Sequence, residues 1–278
     1  MTRAAVLGSP VAHSLSPVLH SAAYGAMGLE DWSYGRFECE EEGLAPFLRE
    51  LDAGWAGLSL TMPLKRRAME LADEVTDLTV AVGGANTLVR GGTGWTAHNT
   101  DVAGIATALT EAGISAPRSA AVLGAGATAA SALAALRELG AVAPVTVLAR
   151  NTARAGDVAA AAERMGHPLV VAPLAEADQY LDVDLVVSTL PSGAADGLAG
   201  RLAASRADLF DVIYAPWPTR VAEAVAARGG RVVGGFPMLL HQAVAQVRLM
   251  TGAGDIPVGA MRAAGEAELA RRSASTGV

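Results

Sequence analysis

The sequence predicts an α/β protein of two consecutive units, each a mostly parallel sheet with helices packed against it. Short apolar runs alternate with amphipathic stretches through the first hundred residues. After Gly113 and Pro117 the alternation restarts in a cleaner form. A length of 278 residues can supply two modest domains, each with its own core.

In the first stretch Ala4–Leu7 reads as a strand, Pro17–Met27 as a helix, Tyr34–Cys39 as a strand and Gly43–Leu51 as a helix. Trp55–Leu60 follows as a strand and Lys65 into Leu71 as a helix. Gly83-Gly84 breaks the pattern, after which Asn86–Arg90 and Gly94–Ala97 form a hairpin around Gly91-Gly92. A helix over Val102–Ala112 leads into the second stretch. Its strands are Ala120–Leu123, Val145–Ala149, Leu169–Val171, Leu185–Ser188, Leu209–Ile213 and Arg231–Val233. Two long helices follow, Met238–Met250 and Val258–Arg271, and Ser273 to Val278 has the composition of a frayed end. The pattern alone leaves open whether these last helices complete the second unit or cross back to the first.

Hydrophobic content of 51% against 18% charged residues excludes a disordered chain. A net charge of -7 argues against nucleic acid or an anionic membrane as the main partner. Cys39 is the only cysteine, so no internal disulfide is possible and a reducing, cytoplasmic setting is expected. Met1 runs directly into a strand, and no signal peptide is expected. The uncharged run Ser119–Leu136 is alanine-rich and broken by Gly124 and Gly126, so it is not expected to span a membrane. His13, His20, His98, His167 and His241 lack metal-ligand spacing with carboxylates or Cys39, and no metal is expected.

The basic residues are uneven: twenty of the 21 are arginine and one, Lys65, is lysine. Arginine keeps its proton at any working pH, whereas a desolvated lysine can release and regain one. Lys65 is therefore a candidate titratable amine.

Gly124-Ala125-Gly126-Ala127-Thr128-Ala129 follows a strand and opens a helix, which is the setting of a G-x-G-x-x-A dinucleotide fingerprint. The first glycine permits the tight turn, the second admits a pyrophosphate, and Ala129 allows close helix–strand packing. The next strand ends in Ala149-Arg150-Asn151-Thr152-Ala153-Arg154, with no acidic residue to hold ribose hydroxyls. Two arginines and a hydroxyl suit a 2′-phosphate, so NADP is the expected cofactor. The bland alternative is a helix start with Thr152 as N-cap.

Near the N-terminus, Ser14 and Ser16 lie two residues apart ahead of Pro17 and can point hydroxyls at one small anion. The bland alternative makes Ser16 an N-cap with Pro17 opening the helix.

These residues belong to Gly8-Ser9-Pro10-Val11-Ala12-His13-Ser14-Leu15-Ser16-Pro17-Val18-Leu19-His20, which resembles the signature of shikimate dehydrogenases. Further blocks continue the resemblance in order: Thr61–Lys65, Gly84–Thr87, Asn99–Gly104, Asp211–Pro216 and Gly235–Gln242. All three asparagines of the chain, Asn86, Asn99 and Asn151, lie in matching blocks. The resemblance implies a substrate-binding domain over 1–101, completed by 236–278, and a Rossmann-type NADP-binding domain over 102–235. The terminal helices would thus return to the first domain, and the protein would be a cytoplasmic monomer or homodimer.

The resemblance also implies individual roles. Ser14 and Ser16 would hold the substrate carboxylate, with Tyr214 close by. Thr61, Asn86 and Gln242 would bond ring hydroxyls, and Lys65 with Asp101 would sit at the reacting hydroxyl. Gly124, Ala125, Gly126, Ala127 and Thr128, with Arg150, Asn151, Thr152 and Arg154, would hold NADP. Val212, Gly235 and Met238 would flank the nicotinamide. The implied activity is NADPH-dependent reduction of 3-dehydroshikimate to shikimate. The competing readings are a quinate/shikimate dehydrogenase using NAD and a non-catalytic NADP-responsive binding protein. The chain departs from the family at Ser59-Leu60-Thr61, where Asn-Val-Thr is usual, and at Ala127, where a glycine is usual.

Overall fold

The computed structural model describes residues 1–141 and 144–276. Contacts divide the chain into two units, one formed by Met1–Thr100 with the chain from Leu240 on, the other by Asp101–Leu239. The division falls one residue before the expected boundary at Asp101, and at the other end inside a helix.

The first unit holds β1 (Thr2–Gly8), α1 (Ser16–Ala26), β2 (Trp32–Glu38), α2 (Glu41–Glu50), β3 (Trp55–Leu60), α3 (Lys65–Leu71), β4 (Glu74–Val75), α4 (Asp77–Val82), β5 (Thr87–Arg90) and β6 (Trp95–His98). Its sheet order is β2-β1-β3-β5-β6-β4. The β1/β2, β1/β3 and β4/β6 pairs are parallel, while β3/β5 and the β5–β6 hairpin are antiparallel. Parallel pairing is thus confined to part of this sheet, because the short Gly91-Gly92 connection can only return the chain antiparallel.

The two faces of this sheet differ in chemistry. Strand side chains alternate in direction, so Ala5, Leu7, Leu58, Leu60, Leu88 and Ala97 share one face, packing with Leu44, Leu64 and Ala68 into a core. Register places Tyr34 beside Ala4, Ser59 beside Val6, Thr87 beside Ser59 and His98 beside Thr87 on the other face. That face carries hydroxyls where the first carries aliphatics.

The second unit opens with α5 (Asp101–Glu111). It continues through β7 (Ala120–Leu123), α6 (Ala127–Glu138), β8 (Val145–Ala149), α7 (Gly156–Arg164), β9 (Leu169–Pro173), β10 (Leu185–Ser188), α8 (Ala199–Ala204), β11 (Asp208–Asp211), α9 (Arg220–Ala227) and β12 (Val232–Val233). The sheet order β12-β11-β10-β7-β8-β9 is parallel throughout. This is the doubly wound order, with its topological switch between β7 and β10. Leu123, Leu148, Val186, Leu209 and Val221 belong to one of its cores.

α10 (Gly235–Thr251) begins in the second unit and continues in the first from Leu240, and α11 (Val258–Thr276) follows it there. The terminal helices therefore do return to the N-terminal unit. α11 packs along α1, and the Arg272 guanidinium donates to the His13 carbonyl at 2.7 Å. Gln242, Gln246 and Met250 recur every four residues and so form one stripe of α10. A Cβ at Gly57 would lie 2.7 Å from Met250 Cγ and 2.9 Å from the Leu88 carbonyl oxygen. Glycine at 57 is what lets this stripe approach the polar face of the sheet. The frayed end expected from Ser273 is helical as far as Thr276, and the last two residues lie outside the described ones.

Candidate active site

In the first unit the segment between β1 and α1 presents Ser14 and Ser16. Leu15 is the N-cap of α1 and makes no side-chain cap bond, so Ser16 is the first helical residue rather than the cap. Ser14 Oγ instead accepts from the Ser16 backbone N–H at 3.2 Å. Ser16 is also held through its carbonyl oxygen, which bonds His20 Nδ1 at 2.9 Å.

Burial lowers the His20 pKa from 6.5 to about 4, against the smaller raising effect of its bond to the Ser16 backbone. The ring is therefore neutral, with the proton on Nδ1 donated to the Ser16 carbonyl. The unfolded chain binds a proton near pH 6.5 and the folded chain only near pH 4, so stability is full above 6.5 and falls between these values. The loss from this one group is on the order of 3 kcal/mol at pH 4. In urea unfolding at several pH values, His20→Phe is expected to flatten the slope between pH 6.5 and 4. An unchanged slope would show that His20 is not the group responsible.

Thr61 directly follows β3, taking its N–H to the Leu7 carbonyl at 2.9 Å, and its own carbonyl accepts from Leu64 N–H at 2.8 Å. This turn delivers Lys65 to the start of α3. The Lys65 carbonyl in turn accepts from Ala85 N–H at 2.8 Å, the residue before Asn86, and Leu60 N–H donates to the Asn86 carbonyl at 2.7 Å. Backbone bonds thus gather Thr61, Lys65 and Asn86 at one end of the sheet.

Asn86 is buried, and its side chain organises the end of this unit. Its Oδ1 accepts from Thr100 N–H at 2.8 Å and Thr87 Oγ1 at 2.9 Å. Its Nδ2 donates to Thr100 Oγ1 at 2.9 Å and to Gln242 Oε1 at 3.4 Å. Asn99 Nδ2 donates to the Gly84 carbonyl at 2.7 Å. Together Asn86 and Asn99 fix the chain immediately ahead of Asp101, a buried carboxylate at the first position of α5.

In the second unit Gly124 adopts φ +102, and a Cβ there would lie 2.5 Å from Thr189 Oγ1. The turn after β7 therefore needs glycine to pass the end of β10. At Gly126 a Cβ would meet nothing within 4 Å, and this N-cap of α6 makes no side-chain cap bond. The helix N-terminus is left as bare backbone donors facing open space, which fits a pyrophosphate. Ala129 is fully buried, as close helix–strand packing requires.

After β8, Asn151 caps a short 3₁₀ turn over Thr152–Ala155 by accepting from Ala153 N–H at 3.0 Å. Thr152 is thus not the cap, and Arg150, Thr152 and Arg154 are all exposed. Arg150 lines a cavity of about 360 Å³ with Pro173, Leu174, Ala175, Ala194, Gly197, Leu198 and Arg201, at the carboxyl ends of the strands. Exposed cations beside an apolar-lined cavity suit a phosphorylated adenosine.

Val212 and Tyr214 lie on the connection that follows β11, and Gly235 opens α10 shortly after β12. Asp211 accepts from Thr219 Oγ1 at 2.8 Å and from Ile213 N–H at 3.2 Å, and burial raises its pKa. Thr219 also caps α9, so this carboxyl anchors both ends of the loop that carries Tyr214. Gly235 N–H donates to the Ile213 carbonyl at 3.0 Å, and a Cβ there would collide with the Val212 carbonyl. Val212 and Gly235 are therefore in direct contact, with Met238 buried one turn further along α10.

The sequence reading passed over Tyr34 and Gln246 and noted Ser59 only as a departure from the family pattern. Tyr34 O–H donates to Ser59 Oγ at 2.6 Å, and Ser59 Oγ donates to Gln246 Oε1 at 2.8 Å. Gln246 Nε2 donates to Thr87 Oγ1 at 3.0 Å and to the Asn86 carbonyl at 3.2 Å. Period two in β3 and period four in α10 were the available signals, but neither indicates which sheet face the helix covers.

A doubly wound unit with a bare fingerprint turn, joined to a unit with a lysine beside buried amides and hydroxyls, defines a nucleotide-linked oxidoreductase. Residues 6–88 match the family profile of the shikimate dehydrogenase substrate binding domain, and residues 235–264 that of the shikimate 5′-dehydrogenase C-terminal domain. A shikimate dehydrogenase (NADP(+)) of Thermus thermophilus is 36% identical, over 95% of this chain and 98% of its own. Among solved structures, Mycobacterium tuberculosis shikimate dehydrogenase shares 46% identity at a TM-score of 0.87, covering 96% of this chain and 99% of that one. A shikimate 5-dehydrogenase from Thermus thermophilus, solved with NADP(H) and shikimate, shares 33% identity at a TM-score of 0.82, over 96% and 99% of the two chains. The chain belongs to the shikimate dehydrogenase family, whose curated members are NADP-linked oxidoreductases.

Proposed function

We propose that this chain catalyses the reversible NADPH-dependent reduction of 3-dehydroshikimate to shikimate, with Lys65 and Asp101 at the reacting oxygen. The observation that carries the reading is the backbone lattice that gathers Thr61, Lys65 and Asn86 in a chain whose only lysine is Lys65. In the reduction, NADPH, when bound, would supply the hydride. Lys65 delivers the proton to the oxygen that becomes the alcohol, and its charge stabilises that oxygen as negative charge builds. Asp101 orients the ammonium and the same hydroxyl.

Ser14 and Ser16, with Tyr214, hold the carboxylate. Thr61, Asn86 and Gln242 bond the ring hydroxyls, and the long 3.4 Å link between Asn86 and Gln242 is the bond most easily exchanged for one to a ligand. Gly124 through Thr128 cradle the pyrophosphate. Arg150, Asn151, Thr152 and Arg154 hold the 2′-phosphate, and Val212, Gly235 and Met238 line the nicotinamide. Residues 1–101 with 236–278 form the substrate domain and 102–235 the cofactor domain. No described helix is long and apolar enough to cross a membrane; the lone cysteine supports a cytoplasmic enzyme acting on a small molecule.

Nicotinamide absorbance at 340 nm tests this reading, with shikimate or quinate paired in turn with NADP or NAD. Shikimate with NADP is expected to be the fastest pair. Quinate with NAD as the best pair would make the protein a quinate dehydrogenase, and no turnover with any pair would leave a cofactor-binding protein.

A further inference from the structure

We propose that Gln246 is a positioning residue for substrate binding, whose buried carboxamide grips the start of β5 and so holds Asn86 and Gln242 where they meet the substrate ring. The proposal rests on the reading of Asn86 and Gln242 as ring-hydroxyl contacts.

Both ends of the Gln246 carboxamide are engaged inside the first unit. Nε2 donates to Thr87 Oγ1 at 3.0 Å and to the Asn86 carbonyl at 3.2 Å, and Oε1 accepts from Ser59 Oγ at 2.8 Å. Thr87 Oγ1 passes its own proton to Asn86 Oδ1 at 2.9 Å. Gln246 therefore reaches Asn86 twice, directly at the backbone and through one hydroxyl at the side chain.

Backbone groups that can play only one role fix the direction of every one of these bonds. The Asn86 carbonyl can only accept, so Gln246 must turn Nε2 toward it and Oε1 toward Ser59. Ser59 must then give its proton to Gln246, and it accepts the Tyr34 proton at 2.6 Å. Ser59, a departure from the family pattern, thus has the task of holding the acceptor end of the carboxamide. At the other end Thr100 N–H can only donate, which fixes Asn86 Oδ1 at 2.8 Å and leaves Nδ2 facing Gln242 Oε1.

The packing of α10 makes Gln246 the residue that sets this spacing. Gly57 and Ser59 share one face of β3, and Met250 meets Gly57 while Gln246 meets Ser59. The next turn of the same stripe carries Gln242. Its 3.4 Å link to Asn86 is too long to hold the two side chains together. The shorter bonds of Gln246, one turn away, hold the helix against the strand and keep that pair in register.

The test is the initial-rate kinetics of the full-length enzyme with Gln246→Met, and with Gln242→Ala as the reference for a direct contact. Methionine keeps an unbranched side chain of similar reach and removes both donor and acceptor. Gln246→Met is expected to raise KM for shikimate about three- to ten-fold, the worth of one hydrogen bond, with kcat and KM for NADP little changed. Thr87→Val removes only the hydroxyl between Gln246 and Asn86 Oδ1. It should raise KM in the same direction, and it carries the test if Gln246→Met fails to fold. Shikimates lacking one of the two non-reacting ring hydroxyls separate positioning from a loosened core. The penalty should shrink for one of them, the compound without the hydroxyl that Asn86 holds. Unchanged KM in both variants beside a raised KM in Gln242→Ala would overturn the positioning role and leave the site reading standing. An equal penalty with shikimate and both deoxy compounds would also overturn it. No change in Gln242→Ala would remove the ring-contact reading and the proposal with it.

Discussion

Lys65→Met should lower kcat for shikimate oxidation by about 10²–10⁴-fold while moving KM only a few-fold. Methionine keeps an unbranched side chain of similar reach but neither charge nor proton. The α3 start should tolerate it, because Lys65 is only half-buried and its carbonyl keeps the bond from Ala85 N–H whatever the side chain. Lys65→Arg divides the effect further: arginine retains the charge but does not give up its proton. Activity regained in Lys65→Arg over Lys65→Met measures the electrostatic share, and the remaining deficit measures proton transfer. Near-normal turnover in Lys65→Met would remove this residue from the chemistry.

Replacing the two arginines after β8 should act on the cofactor and leave the substrate alone. Charge-assisted hydrogen bonds contribute about 1.5–3 kcal/mol each, so Arg150→Ala and Arg154→Ala should each raise KM for NADP roughly ten- to a hundred-fold. NAD lacks the 2′-phosphate, and its KM should change little. The preference for NADP would therefore shrink in step with the loss of positive charge, and the wild-type preference should itself weaken with added salt because both side chains are exposed. Equal losses with NADP and NAD would show that these residues shape the loop rather than read the phosphate.

Local chemistry made much of the architecture legible. Trp55–Leu60, Ala120–Leu123, Val145–Ala149 and Leu185–Ser188 fall where apolar runs bounded by turn residues put them. Lys65–Leu71 likewise has its expected limits. By contrast, β4 and α4 escaped notice, since two and six residues are too few to establish a period. The Gly83 stop of α4, at φ +80, was visible as a break but without the helix it ends. Gly124 of the fingerprint was readable because it answers to a backbone demand within the motif itself.

Composition, periodicity and short motifs were enough to establish two α/β units and the setting of a dinucleotide turn, and to single out a cationic loop and an unusual lysine, because each depends on residues close together in the chain. Tertiary structure alone decided that Ser16 does not cap its helix and that Asn151 and not Thr152 caps the turn after β8, while the return of α10 to the first unit, left open by pattern, was implied only by the family resemblance. Only the tertiary structure joined Tyr34 to Ser59 and Ser59 to Gln246, a residue 187 positions away. Such links depend on which face of a sheet a distant helix covers. That choice follows from packing, here from the space that Gly57 leaves for Met250, and no local pattern encodes it.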